Sequence, residues 1–188
     1  MRMNVLDWIR ILEGLKKKGI HVVHRSFFEA TYCGKRESLG IILNRLERRG
    51  LILRVMRNWF CIPPCDVWEV VKVVFPSAYI SLEWALHFHD VLDQHVEVVT
   101  LVWLGKTKRV RSRFADFEIH KVSRDLYFGF DRNTMIAEPE KALLDTVYIR
   151  GKVPAEINID LVDRGKLLKY AEKFPKRVLK EINRMFAV

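Results

Sequence analysis

Residues 36–62 read RESLGIILNRLERRGLILRVMRNWFCI, and the spacing inside this stretch decides how the N-terminal part folds. Leu39, Ile42, Leu43 and Leu46 stand at i, i+3, i+4 and i+7, which predicts a helix from about Arg36 to Arg49 with these four facing a core. Its opposite side carries Glu37, Ile41, Asn44, Arg45 and Arg48. Gly50 ends the helix. Leu51–Arg54, then Val55-Met56-Arg57-Asn58, then Trp59–Ile62 follow as strand, turn and strand.

Working upstream, Val5, Leu6, Trp8, Ile9, Ile11, Leu12 and Leu15 recur with a helical period, and Lys16-Lys17-Lys18-Gly19 closes that segment with cations and a glycine. Ser26 with Glu29 has the spacing of a capping box, which predicts a short second helix to about Tyr32 before the turn Cys33-Gly34-Lys35-Arg36. Three helices and a hairpin in this order predict a winged helix-turn-helix over residues 1–64. Pro63-Pro64 marks its end, because two prolines can neither continue a strand ladder nor enter a helix interior.

The charge sits in the same place. Of a formal net charge of +10, the first 65 residues carry +8, from 13 Lys and Arg against 5 acids, while the remaining 123 hold 20 bases and 18 acids. Duplex DNA presents one phosphate charge per roughly 1.7 Å of axis, so a concentrated cationic face gains from counterion release. Any single arginine here is explained as well by a solvated helix face; the group, on these elements, points to DNA. Asn44, Arg45 and Arg48 are the candidates for base edges, since Arg pairs bidentately with guanine and Asn with adenine. Lys35, Arg36, Arg54 and Arg57 are placed for phosphates, which position without specifying.

Composition excludes other classes. The longest apolar runs, Val70–Phe75 interrupted by Lys72 and Val98–Leu104 interrupted by Thr100, fall far short of the roughly 20 residues of a membrane helix. Asp7, Arg10 and Glu13 interrupt the N-terminal segment, unlike a signal peptide, so a cytoplasmic protein with no membrane partner is expected. Three cysteines, Cys33, Cys61 and Cys65, suit a reduced compartment without disulfides, and no second ligand pair accompanies Cys61 and Cys65 for zinc. A single glutamine among many Glu, Lys and Arg is the bias of proteins from hot environments.

From residue 65 to 188 the pattern predicts a mixed domain, making the whole an α+β protein. Asp66 caps a helix to about Val74, Pro76 stops it, and Ser81–Val91 forms another. Val96–Leu104 reads as a buried strand, and Val110–Phe114, Phe117–Val122 and Leu126–Phe130 as short strands whose spacing favours an antiparallel sheet. Pro139 opens a helix to about Ile149, with two more near Leu167–Phe174 and Lys176–Phe186.

Enzyme chemistry finds little foothold. His87 and His89, two apart on a helix, cannot chelate one metal. Asp116, Glu118 and Lys121 have the residue types of a metal-dependent nuclease, at a spacing common on any strand with one exposed face. No phosphate loop, nucleophile elbow or paired Cys-x-x-Cys is present, so neither catalysis nor a cofactor or metal is expected.

Ala137-Glu138-Pro139-Glu140-Lys141-Ala142-Leu143-Leu144-Asp145 with Tyr148, together with Tyr79-Ile80-Ser81-Leu82-Glu83, Ala85-Leu86, His89 and the strand Val98-Val99-Thr100, resembles the second domain of the AbiEi antitoxin family. That family comprises transcriptional regulators of abortive-infection toxin–antitoxin operons. The resemblance implies a winged helix that represses its own operon by binding double-stranded DNA at its promoter. It further implies a C-terminal domain, residues 65–188, that opposes a nucleotidyltransferase toxin encoded alongside. The family's motif residues carry over as Tyr79, Ser81, Glu83, His89, Glu140, Lys141 and Asp145. A winged-helix factor with a ligand-sensing or dimerising second domain, and a nuclease, are the rival readings.

Overall fold

The computed structural model describes residues 3–34 and 36–187, apart from the side chains of Arg36 and Glu37. It is a mixed α+β protein with one antiparallel sheet and one mixed sheet. The chain divides into two compact units: Met1–Val74 with Arg111–Ala115, and Phe75–Val110 with Asp116–Val188.

In the first unit, α1 (Val5–Lys17), β1 (Val22–His24), α2 (Arg25–Thr31), α3 (Arg36–Arg48), β2 (Leu53–Met56), β3 (Trp59–Cys61) and α4 (Val67–Val74) follow in order. Asn4 caps α1 through a reciprocal box with Asp7, which satisfies two amides of its first turn. Trp8, Leu12, Phe28, Leu39, Leu43, Leu46, Ile52 and Phe60 make one core, so the helical period of residues 36–49 faces inward as the spacing predicts. The sheet has the order β1-β3-β2, all antiparallel, with Val23 opposite Phe60 and Arg54 opposite Phe60 on its other side.

The hairpin turn narrows from the expected Val55-Met56-Arg57-Asn58 to Arg57-Asn58, since β2 runs on to Met56 and pairs it with Trp59. Four further features of this unit differ from the sequence expectation. Val22–His24 is a strand: too short to show a period of its own, it forms by completing the free edge of β3. His24, rather than Ser26, caps α2 by accepting from the Ser26 amide at 3.2 Å, while Glu29 pairs with Arg25 at 3.0 Å. Cys61 and Cys65 form a disulfide across a Cα separation of 6.5 Å, where a reduced pair was expected. The border falls after Val74 rather than at Pro64, since α4 belongs to the first unit and Glu69 lies 2.9 Å from His21 Nδ1.

The second unit contains β4 (Ala78–Ile80), α5 (Leu82–Phe88), β5 (Val99–Trp103), β6 (Lys108–Val110), β7 (Phe117–Lys121), α6 (Pro139–Arg150), α7 (Arg164–Ala171) and α8 (Lys176–Phe186). Its sheet runs β4-β5-β7-β6, and β5 pairs with β7 in parallel, which corrects the expected antiparallel sheet. Val99 to Val102 are buried without alternation, so β5 needs a neighbour on both edges. β4 takes one edge. β7 takes the other by inserting between β5 and β6, although the short turn between those two invites a hairpin.

Local differences follow from the same packing. The expected strand Val110–Phe114 ends at Val110, because Ser112 Oγ accepts from the Phe114 and Ala115 amides and turns the chain out of the sheet. Leu126–Phe130 is no strand; Arg124–Leu126 is a single 3-10 turn and Phe130 bridges Ala137. The helix expected over Ser81–Val91 runs only from Leu82 to Phe88, because His89 caps it and Asp90 takes φ +59°, while Tyr79 and Ile80 lie on β4. α6 is buried from Glu140 to Val147, the central rod of this unit, and no helix among the described residues is long and apolar enough to cross a membrane.

Candidate functional sites

The first candidate lies on α3 and the hairpin. Burying Leu39, Leu43 and Leu46 turns the other side of α3 outward, so Ile41, Asn44, Arg45 and Arg48 form an exposed stripe at i, i+3, i+4 and i+7. Neither Arg45 nor Arg48 pairs with an acid among the described residues. Arg57, at the tip of the β2–β3 hairpin, is exposed as well. Lys35 lies outside the described residues, as does the side chain of Arg36.

Arg54 has a different situation from the one its position suggests. It donates to Glu47 at 3.0 Å and stacks over the Phe60 ring at 4.8 Å, so its guanidinium is held rather than free to sweep the surface. Glu47 is nearly buried, and Arg113 approaches its other oxygen at 3.9 Å. These groups line an open depression of about 580 Å³ that also takes in Asn44, Arg57, Arg111 and Ser112. A second depression of about 430 Å³ shares Arg54 and Arg57 and adds His24, Arg25, Glu29 and Asn58. Together they make a continuous basic surface around Arg57.

Arg111 and Arg113 escaped the sequence reading, which placed them on a strand of the neutral part. A signal existed: residues 106–113 hold Lys106, Lys108, Arg109, Arg111 and Arg113 with no acid among them.

The second candidate is the buried cluster in the second unit. Lys141 and Asp145, one helical turn apart on α6, form an ion pair with both side chains fully buried. Tyr79 and Ser81 each donate to Asp145 Oδ2, at 2.9 and 2.8 Å, and Lys141 donates to the Tyr79 hydroxyl at 2.8 Å. The Lys141 ammonium also sits 5.2 Å from the ring centres of Tyr79, Phe128 and Phe174. Gly129, at φ +71°, makes room for it, since a Cβ there would lie 3.0 Å from Lys141 Cγ. Burial pulls the ammonium below the ordinary lysine value against the opposing pull of Asp145. Burial first, and then the Asp145 charge, push the Tyr79 phenol well above its ordinary value. Tyr79, Ser81, Lys141 and Asp145 therefore tie β4 to α6.

The other motif residues also bind elements together. Glu140 accepts from the Asp163 amide at 2.9 Å at the start of α7, and His89 Nε2 donates to the Ala137 carbonyl at 2.8 Å. Glu83 receives Arg150 at 2.7 and 3.2 Å.

Arg150 continues to Glu118 at 3.0 Å, and His120 Nε2 lies 3.0 Å from the same carboxylate. The nuclease candidates Asp116, Glu118 and Lys121 thus meet a Glu118 already engaged by cations. The Arg150 hydrogen bond holds the Glu118 carboxyl below the ordinary glutamate value of 4.5. A carboxyl lowered on folding contributes stability that is complete above its unfolded value and lost as pH falls through the folded value. The destabilisation caused by Glu118→Gln, measured by denaturant unfolding, is accordingly expected to be larger at pH 7 than well below pH 4.5. An equal effect at both would show that Glu118 contributes nothing through its charge.

No protein-family model matches the sequence, and no curated protein does. Among solved structures, the chain is similar in fold to the crystal structure of the RV2827C protein from Mycobacterium tuberculosis. The TM-score is 0.56 at 14% identity, over 90% of this chain and 72% of that one.

Proposed function

We propose that the first unit is a winged helix-turn-helix that binds duplex DNA, and that the chain is a transcriptional regulator and antitoxin of AbiEi type. The observation that carries the DNA reading is the exposed Asn44, Arg45 and Arg48 stripe on α3 beside the cationic β2–β3 hairpin. Arg45 and Arg48 read base edges, Arg57 meets a phosphate, and Arg54 braces the hairpin. The antitoxin part is supported by the resemblance of residues 79–151, whose motif residues Tyr79, Ser81, Lys141 and Asp145 converge in one buried cluster.

A salt-dependent titration against the chain's own promoter fragment and a scrambled duplex tests the reading. Tighter promoter binding with a steep salt slope on both duplexes is expected; no preference would remove the regulator. Arg45→Ala is expected to cost about 1–3 kcal/mol on the promoter and to relax base preference at one position. Arg57→Ala should weaken both duplexes alike. Equal losses on both duplexes for both variants would overturn this division of roles. Co-purification with a nucleotidyltransferase encoded by the neighbouring gene tests the antitoxin half.

A further inference from the structure

We infer that Arg111 and Arg113, carried on the loop between β6 and β7, form part of the DNA interface and each contact one backbone phosphate of the duplex that α3 reads. This deepens the function proposed above and rests on it. The loop Arg111–Ala115 belongs to the first unit although the strands on either side of it belong to the second. Ser112 makes it a defined turn, accepting from the Phe114 and Ala115 amides at 3.2 and 3.1 Å and donating to the Ala115 carbonyl at 2.7 Å. The two arginines that flank Ser112 are thereby presented by an ordered backbone, which lowers the entropy lost when they engage an anion.

Charge selects the class of ligand. The depression sets Arg54, Arg57, Arg111 and Arg113 against a single carboxylate, Glu47, which is almost buried and already holds Arg54. A surplus of positive charge therefore faces solvent, in guanidinium groups whose planar forks suit phosphate oxygens. Shape selects the polymer. Small-molecule sites enclose most of their ligand in largely apolar walls, whereas this depression is open and cationic. Position selects the duplex, because the depression shares Asn44 with the α3 stripe and Arg57 with the hairpin tip. An anion seated there lies on the strand bordering the groove that α3 enters.

The test compares full-length wild type, R111S/R113S and R111K/R113K against the promoter fragment and the scrambled duplex over a range of salt. Each phosphate contact contributes about 0.9 to the slope of log affinity against log salt, so the serine variant should be shallower by about 1.8. Raising salt from about 50 to about 200 mM should then weaken wild type about tenfold more than the serine variant, on both duplexes, with promoter preference unchanged. The lysine variant keeps the charges and should keep the slope. An unchanged slope in the serine variant, with wild type binding normally, overturns this inference alone. A lysine variant as shallow as the serine one assigns the residues a structural role and overturns it too. Absence of binding by wild type overturns it together with the DNA reading, so the two failures are distinguishable.

Discussion

Asp145→Ala is expected to destabilise the protein by about 3–5 kcal/mol, the range for removing one partner of a buried ion pair. The cost has an identifiable origin. With Asp145 gone, the Lys141 amine stays in a fully buried setting beside the Tyr79 hydroxyl and three aromatic faces, where holding its proton means an uncompensated charge and shedding it costs free energy, while Ser81 loses its acceptor. Burial already disfavours the charged lysine, so the variant should leave Lys141 neutral in the folded state. The double variant K141M/D145L discharges the site at similar volume and is expected to recover most of the loss, because no charge is left stranded. Denaturant unfolding of the single and double variants measures this; a double variant as unstable as Asp145→Ala would show that the pair is required for packing rather than for mutual neutralisation.

Phe28→Ala should cost the first unit about 3–5 kcal/mol, the span for removing a buried aromatic ring. Phe28 is completely buried, and its ring lies 5.6 Å from Trp8, 5.5 Å from Phe27 and 5.5 Å from Phe60. It therefore joins α1, α2 and the central strand β3 in one contact, and the space it leaves cannot close without moving all three. Hydrogen exchange should report the loss as earlier opening of the α1 and α3 amides. Affinity for DNA should fall with the folded fraction while the salt slope stays the same, since no phosphate contact is touched. A changed slope would mean that the substitution alters the cationic face itself.

Much of this was legible from residue spacing. The helices over 5–17, 36–48, 139–150 and 176–186 appear where their apolar period, cations, proline and glycine put them, because those signals act within a few residues of the backbone they order. The exposure of Asn44, Arg45 and Arg48 follows equally from the period that buries Leu39, Leu43 and Leu46. The string from Glu138 to Asp145 announced a helix, yet its partners did not show in it: Ser81 and Tyr79 reach Asp145 from 64 and 66 positions away.

What spacing determined, then, is the principal helices, the net charge of the N-terminal part and the outward face of α3, each a property of neighbouring residues. Tertiary packing decided the rest. β7 separates β5 from β6 because a strand buried on both faces must satisfy both edges, a competition among segments far apart in the chain. The same kind of competition turned Val22–His24 into an edge strand and gave the Arg111–Ala115 loop to the first unit. Burial is a property of the whole fold, and these three outcomes were settled by which surfaces found each other rather than by any window of sequence.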